Sequence, residues 1–264
     1  MIRFSKGHGT GNDFVIVSDP DNAEPLTSAQ IAALCDRRRG IGGDGLLRIV
    51  RASRHPDAAG MAADAEWFMD YYNADGSIAE MCGNGVRVYA QALREAGLEK
   101  ADSVAIATRA GVKTVTRVDG EYQVDMGPVR LDGDATAVLA AGRAYSGKRA
   151  YMPNPHLVCR VDDIDTLDLT EAPRVDHERF PDGVNVEFIE PTPEGIRMRV
   201  HERGVGETLS CGTGACAAAA VVVGNQGECV VEVPGGRLTV TVTPDTILLR
   251  GQAVIVAEGT TVLV

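Results

Sequence analysis

Apolar positions along the chain fall in short runs and alternations separated by Gly, Pro, Asn and Asp, the pattern of a strand-rich protein with tight turns. In the first half, residues 2–4, 14–17, 46–50, 67–72, 103–108, 113–118 and 122–126 read as strands, with Asp119-Gly120 as a hairpin turn. In the second half, strands are expected near residue 151 and over 157–161, 184–189, 196–200, 228–233, 237–242 and 246–250. Residues 254–256 and 261–264 are expected to close the chain as two more. Helical spacing interrupts this at three places. Thr27 or Ser28 caps a helix with Ile31, Leu34 and Cys35 on one face. Residues 86–96 place Val86, Ala90 and Leu93 together and end at Gly97. Residues 215–223 are Ala and Val almost throughout, so that helix is buried on every side, as it would be if strands wrapped it. The second half repeats the first in order, and each half reads as a mostly antiparallel sheet curled around one central helix.

The segments between these elements are polar. Residues 52–64, with Pro56 and Gly60, read as a surface loop or hairpin end, and Asn73-Ala74-Asp75-Gly76-Ser77 is a turn signal. The Gly-dense stretch from Lys6 to Asp13 is either a turn or a place where backbone meets ligand. Two nucleotide-binding patterns are decoys. Gly40-Ile41-Gly42-Gly43-Asp44-Gly45 has dinucleotide-fingerprint spacing but runs from helix into strand, the reverse of what that motif needs. Gly142-Arg143-Ala144-Tyr145-Ser146-Gly147-Lys148 lacks the hydroxyl residue that would hold magnesium and no helix follows it.

One frame occurs twice. Cys82-Gly83-Asn84-Gly85 and Cys211-Gly212-Thr213-Gly214 each set a cysteine before Gly-x-Gly where a loop turns into a helix. Nine residues ahead of them stand Asn73 and Glu202, each opening a polar approach. A thiol at a helix N-terminus feels the positive end of the helix dipole and its N–H donors, which favour thiolate and lower its pKa. The glycines let amides approach a ligand closely, making a nest suited to a carboxylate. Two cysteines so placed suggest two halves of one site.

Composition narrows the possibilities. At 264 residues, 44% hydrophobic and 24% charged, the chain is an ordinary globular protein that can bury a core. Its net charge of −11 argues against nucleic-acid binding. The longest apolar run is the nine residues 215–223, too short to span a membrane, and the N-terminus lacks a signal-peptide core, so the chain reads as cytoplasmic. Six cysteines in such a chain are not a disulfide scaffold; none forms C-x-x-C and the five histidines are scattered, so no metal site is expected. Cys35, Cys159, Cys216 and Cys229 default to the core. Asn12, Asn73, Asn154 and Asn185 sit in Gly- or Pro-bearing contexts, either as turn formers or as grips on a substrate. His156 is either a core histidine or a ligand. Glu202-Arg203, just ahead of the second cysteine loop, is a solvated pair or a ligand-binding one.

These residues together resemble diaminopimelate epimerase. The resemblance rests on Gly9-Thr10-Gly11-Asn12-Asp13-Phe14, Asn73 to Ser77 with Met81 to Gly85, Asn154-Pro155-His156, Glu202 to Thr208 with Cys211 to Cys216, and Pro234-Gly235-Gly236-Arg237-Leu238, and so covers essentially the whole chain. It implies an α+β fold of two pseudo-symmetric domains with the active site in the cleft between them, commonly as a homodimer. Residues 1–126, completed by strands within 253–264, would form the domain carrying Cys82, and residues 127–252 the domain carrying Cys211. It implies a cofactor-independent isomerase that interconverts LL- and meso-2,6-diaminopimelate, supplying lysine and peptidoglycan synthesis. Cys82 and Cys211 would be the acid/base pair. Asn12, Asn73, Asn154, Asn185, Glu202 and Arg203 would hold the substrate's polar groups, the amides around Gly83-Asn84 and Gly212-Thr213 would receive the α-carboxylate, and His156 would support the site. Gly45 stands where some members have a glutamine that touches the distal end of the substrate, so that contact is lost or made otherwise. Pro153 and His201 also depart from the usual residues, without touching a motif position.

Two-base chemistry fits two thiols. Inverting a stereocentre needs a base on one face of the α-carbon and an acid on the other, and running both ways makes each group serve both roles. Without an electron sink such as pyridoxal phosphate, the site must stabilise charge building on the carboxylate, which helix N-termini in a closed cleft can do. The alternatives are a related proline or hydroxyproline epimerase, or a small-molecule binding or thiol redox-sensing protein using the same cysteines without turnover.

Overall fold

The computed structural model describes residues 1–262 and divides the chain into two compact units, the first running from Met1 to Val124 and resuming at Gln252, the second spanning Asp125–Gly251. The first unit contains β1 (Ile2–Gly9), β2 (Asn12–Ser18), α1 (Ser28–Cys35), β3 (Gly45–Arg51), β4 (Trp67–Asn73), α2 (Gly83–Glu95), β5 (Ser103–Thr108) and β6 (Gly111–Val118). In β7 (Glu121–Gly127) it gives way to the second unit. That unit contains β8 (Arg130–Val138), β9 (Ala144–Tyr151), β10 (Pro155–Arg160), β11 (Arg174–Val175), β12 (Asn185–Pro191), β13 (Gly195–Glu202), β14 (Gly206–Thr208) and α3 (Gly212–Val223). It ends with β15 (Gly227–Val233), β16 (Gly236–Val242) and β17 (Ile247–Gly251), and β18 (Val254–Thr261) returns to the first unit.

The two units repeat one strand order. In the first, β18, β1, β2, β3, β4, β5, β6 and β7 lie side by side. In the second, the order is β8, β9, β10, β12, β13, β15, β16 and β17. The senses also match: β2 with β3 and β4 with β5 are parallel, as are β10 with β12 and β13 with β15, and the remaining pairs in both orders are antiparallel. The expectation of a mostly antiparallel sheet in each half holds with this refinement. Parallel neighbours need a crossover, and three of the four crossovers carry a helix, α1, α2 or α3. The first unit takes its first strand, β18, from beyond the second unit's run, whereas the second unit begins on β8, directly after β7.

The central helices differ in how they are buried. α2 presents apolar Val86, Val88, Tyr89 and Leu93 to its strands and covers Arg87 as well. In α3, Ala215 through Ala220 are all fully buried, and these small side chains let strands close in, but the last turn departs from the expected all-round burial: Val222 is exposed and Val221 and Val223 are half-buried. α1 begins with a capping box in which Thr27 and Gln30 satisfy each other's backbone, and it buries Ile31, Leu34 and Cys35.

Local departures have physical causes. The stretch Lys6 to Asp13 is not an open loop; β1 and β2 run through it and meet at a tight turn with Thr10 at φ 51° and Gly11 at φ 80°. Residues 52–64 hold two short 3₁₀ turns and bury Ala52 and Ala58 against Ala65, Phe68 and Ala107. β8 is a strand the sequence pattern hides, because Asp132 and Gly133 fall where its register against β9 shifts, a bulge that absorbs them. The two closing strands expected at 254–256 and 261–264 are one strand, Val254–Thr261; Gly259 does not end it but makes room for the Phe4 ring. Of the rest of that expectation, Val262 lies beyond the strand, and Leu263 and Val264 lie outside the described residues.

Candidate active site

In the first unit the site is built on the start of α2. Cys82 has extended backbone (φ −140°, ψ 122°), and its sulfur accepts the N–H of Gly85 at 3.3 Å, so the thiol itself caps the helix where Ser or Asp usually does. The helix therefore begins at Gly83, three residues earlier than its apolar spacing suggests, and a first-turn amide, that of Gly85, faces the sulfur. Asn12, the first residue of β2, faces it: Cys82 Sγ donates to Asn12 Oδ1 at 3.5 Å, and Asn84 Nδ2 lies 3.4 Å from the same oxygen. The other end of the Asn12 amide donates to Asp44 Oδ2 at 2.8 Å. Arg37 anchors this arrangement by bonding Asp44 at 2.7 Å and both oxygens of Asp13 at 2.6 and 2.9 Å, with Lys6 on Asp13 at 2.5 Å. Burial alone would raise Asp13, but the bonds from Arg37 and Lys6 prevail and hold its carboxyl well below the usual range. Asn84 is buried and bonded by Arg87 Nη2 at 3.0 Å, so it offers a ligand its backbone rather than its side chain. Asn73 ends β4 and is tied into its own turn, donating to Ser77 Oγ at 3.0 Å. At Gly45 a Cβ would lie 2.6 Å from the Tyr72 carbonyl and 2.9 Å from the Tyr71 ring, so no glutamine could stand there without moving β4.

In the second unit Cys211 caps α3 in the same way, its sulfur accepting the N–H of Gly214 at 3.4 Å and lying 3.5 Å from Thr213 Oγ1. Its electrostatics overturn the expectation of a lowered pKa. Burial pushes the Cys211 thiol well up, and the Glu202 and Glu187 carboxylates push the same way, outweighing Thr213 and the Gly214 amide. Glu202, the last residue of β13, accepts from Thr208 and is bonded to Cys211; burial raises its own pKa despite those bonds. Asn185 opens β12, accepting the Arg203 backbone N–H at 2.9 Å through Oδ1 and donating to the Pro155 carbonyl at 3.4 Å. Arg203 is exposed, donates to the Asp182 carbonyl at 3.1 Å, and does not pair with Glu202. His156 is wholly buried, with Nδ1 2.7 Å from Glu187 Oε1 and Nε2 2.8 Å from Asn154 Oδ1.

The strand registers make the two halves comparable residue by residue. Phe14 pairs with Gly45 across β2 and β3, and His156 pairs with Asn185 across β10 and β12. Two residues on, Leu47 corresponds to Glu187. Beneath the first turn of α2, Gly85 faces Phe14 and Leu47; beneath that of α3, Gly214 faces Glu187. Cys82 thus stands over an apolar pair with buried Arg87 one turn along, whereas Cys211 stands over a His–Glu pair, with Cys216 in place of the arginine.

Sequence reasoning passed over Glu187, Asp44 and Arg37. Glu187 had a signal, a carboxylate inside the otherwise apolar run Val186, Phe188, Ile189; Asp44 and Arg37 had none beyond lying near a Gly-rich segment. Among the described residues no group of three or more His, Cys, Asp or Glu is placed to hold a metal, and no helix is long and apolar enough to cross a membrane.

Comparison with known proteins gives the same architecture and names a family. The family model described as diaminopimelate epimerase matches residues 4–131 and 149–263. A diaminopimelate epimerase of Streptomyces coelicolor is 51% identical over 273 aligned positions, covering 98% of this chain and 94% of that one. Two solved structures share the fold at low identity. One is a Bacillus anthracis phenazine biosynthesis protein of the PhzF family, with TM-score 0.73, 18% identity and 99% of both chains covered. The other is a hydroxyproline epimerase from Agrobacterium vitis with bound trans-4-hydroxy-L-proline, with TM-score 0.70, 14% identity and 98% and 91% covered. The chain belongs to the diaminopimelate epimerase family.

Proposed function

We propose that the protein interconverts LL- and meso-2,6-diaminopimelate without a cofactor, using Cys82 and Cys211 as the two bases. The observation that carries this reading is the repeat of one device: a cysteine capping the central helix at the equivalent position of each unit, in a chain of this family. In each direction one cysteine, as thiolate, removes the α-proton, and the other, as thiol, delivers a proton to the opposite face. The charge that builds on the α-carboxylate is met by the first-turn amides at Gly83-Asn84 and Gly212-Thr213, dipoles already oriented before reaction. Asn12, Asn73, Asn154, Asn185, Glu202 and Arg203 hold the remaining polar groups, with His156 in support. The two compact units serve as the two catalytic domains and close on the substrate, excluding water. The enzyme works in the cytoplasm as a homodimer, in lysine and peptidoglycan precursor synthesis.

The raised pKa of Cys211 keeps it as the thiol member of the pair in the empty site. Incubation with LL-diaminopimelate in deuterated water tests the reading: deuterium should appear at Cα together with meso product. A protein that only binds the compound yields neither, and a proline-type epimerase labels proline instead.

A further inference from the structure

The buried His156–Glu187 pair has no counterpart in the first unit, and its contacts join Glu187, His156 and Asn154 in one chain. Both ring nitrogens of His156 face oxygen: Nδ1 the Glu187 carboxylate at 2.7 Å, Nε2 the Asn154 amide oxygen at 2.8 Å. With Asn154 in this orientation, a carboxylate and an amide oxygen face the two nitrogens, and only an imidazolium can donate to both; with the amide turned over, a neutral ring would serve. The anion that balances an imidazolium is present, since Glu187 and His156 are both fully buried and in contact. Glu187 Oε2 has no partner among the described residues, as suits a carboxylate spending its one good contact on His156 while its other atoms lie under the first turn of α3. Asn154 is consequently poled: its carbonyl is occupied, and no described residue takes its Nδ2. The corresponding residue of the first unit, Asn12, is poled the other way, its Nδ2 given to Asp44 and its carbonyl turned to Cys82. Asn154 also lines a cleft of the second unit in which Arg130, Arg149, Arg179 and Arg203 outnumber Asp132 and Asp182, surroundings that favour an anionic group.

We propose that Glu187 is a positioning residue for the reaction: it keeps His156 doubly protonated, His156 holds the Asn154 carbonyl, and the Asn154 amide NH2 is left to donate to an anionic group of the substrate. The last step rests on the epimerase reading above; the first two do not. Replacing Glu187 by Gln removes the balancing charge, and a neutral His156 that still donates through Nδ1 leaves Nε2 as an acceptor. Asn154 then turns its NH2 inward and presents its carbonyl to the anion.

Nitrogen NMR of the whole chain with ¹⁵N-labelled histidine, at neutral pH and with His156 signals assigned through the backbone, tests the relay. Both ring nitrogens of His156 should carry protons in the parent, and one should lose its proton in Glu187→Gln. A neutral His156 in the parent overturns the proposal and requires no variant to fold. Retention of both protons in Glu187→Gln overturns it as well. In steady-state assays on diaminopimelate, Glu187→Gln should raise KM about 10-fold or more with a smaller change in kcat, because a hydrogen bond to a charged group of the substrate is lost. An unchanged KM alongside the expected NMR change would show the relay to be purely structural and refute the positioning role. If the parent has no activity on diaminopimelate, the epimerase reading fails, and the NMR result still decides the relay. His156→Phe with Glu187→Leu rebuilds the apolar pair of the first unit and should fold with an elevated KM; a KM equal to the parent's in that variant also refutes the proposal.

Discussion

Gly214 and Gly85 occupy the same place in the two Cys-Gly-x-Gly frames, yet the structure assigns them opposite tolerance to alanine. Alanine gains up to about 1 kcal/mol over glycine within a helix. At Gly85 a new Cβ would lie 3.3 Å from Cys82 Cβ, 3.4 Å from the Phe14 ring and 3.6 Å from Leu47, contacts that small shifts absorb. At Gly214 it would lie 2.6 Å from Glu187 Oε1, which must retreat by nearly an ångström. That oxygen is buried and holds His156 at 2.7 Å, so retreat sacrifices a charge-assisted bond worth about 1.5–3 kcal/mol. Gly214→Ala should therefore destabilise by about 1–2 kcal/mol net, with Gly85→Ala within about 0.5 kcal/mol of the parent. Thermal unfolding followed by circular dichroism reads this as a fall of about 2–4 °C per kcal/mol. Repeating Gly214→Ala in a Glu187→Ala background removes the clash, and the alanine should then be neutral or stabilising, a coupling of about 2 kcal/mol in the double-mutant cycle. Equal effects at the two glycines, or a Gly214→Ala cost that persists without Glu187, would refute the reasoning.

The remaining predictions concern charge, pH and oxidation. Asp70 is fully buried and bonds Arg48 Nη1 and Arg109 Nη2, each at 2.6 Å, so Asp70→Asn should destabilise by about 3–5 kcal/mol in urea unfolding; a loss below about 1 kcal/mol would show that the network is not a buried ion cluster. Burial, and secondarily the Glu187 carboxylate, pushes the Cys159 thiol from 9.0 to about 12. The unfolded chain therefore gives up this proton first, so the stability linked to Cys159 is complete below pH 9 and is lost as pH rises toward about 12. The unfolding midpoint of the parent should fall more steeply across that window than that of Cys159→Ala, and parallel curves would contradict the assignment. If the two site thiols meet across a substrate-sized gap, peroxide should join Cys82 and Cys211 in the empty enzyme and stop turnover. Both thiols remaining alkylatable after oxidation would rule that out.

Much of the fold was legible because local rules act where the chain gives them room. The Thr27 cap, the Asp119-Gly120 hairpin and the all-apolar helix at 215–223 each follow from a few adjacent residues, and each stands in the structure. What was hidden depends on partners distant in sequence. β8 goes unread because Asp132 and Gly133 sit in its bulge, and the chain end divides into two strands around Gly259 until the Phe4 ring is placed against it. Arg48 sits in a run read as apolar, and only Asp19 and Asp70 make its burial tolerable. In the site, the repeated cysteine frame was visible as pattern, but its surroundings were not. A helix dipole argues for a lowered thiol pKa from local sequence alone; the burial that chiefly reverses this at Cys211, and the two carboxylates from β12 and β13 that add to it, come from the tertiary fold. The difference between the halves, Phe14 and Leu47 against His156 and Glu187, emerges only once strand register aligns them.

The central proposal is that two thiols, one from each unit, invert one stereocentre, one removing the α-proton and the other delivering a proton to the opposite face. It is tested most directly by measuring epimerisation of LL-diaminopimelate with Cys82→Ala and Cys211→Ala beside the parent, each variant first checked for a native melting temperature. Loss of either acid/base group should lower kcat by about 100-fold or more, and both variants should fail together because neither thiol can invert the centre alone. Near-normal turnover in either folded variant would contradict two-base catalysis.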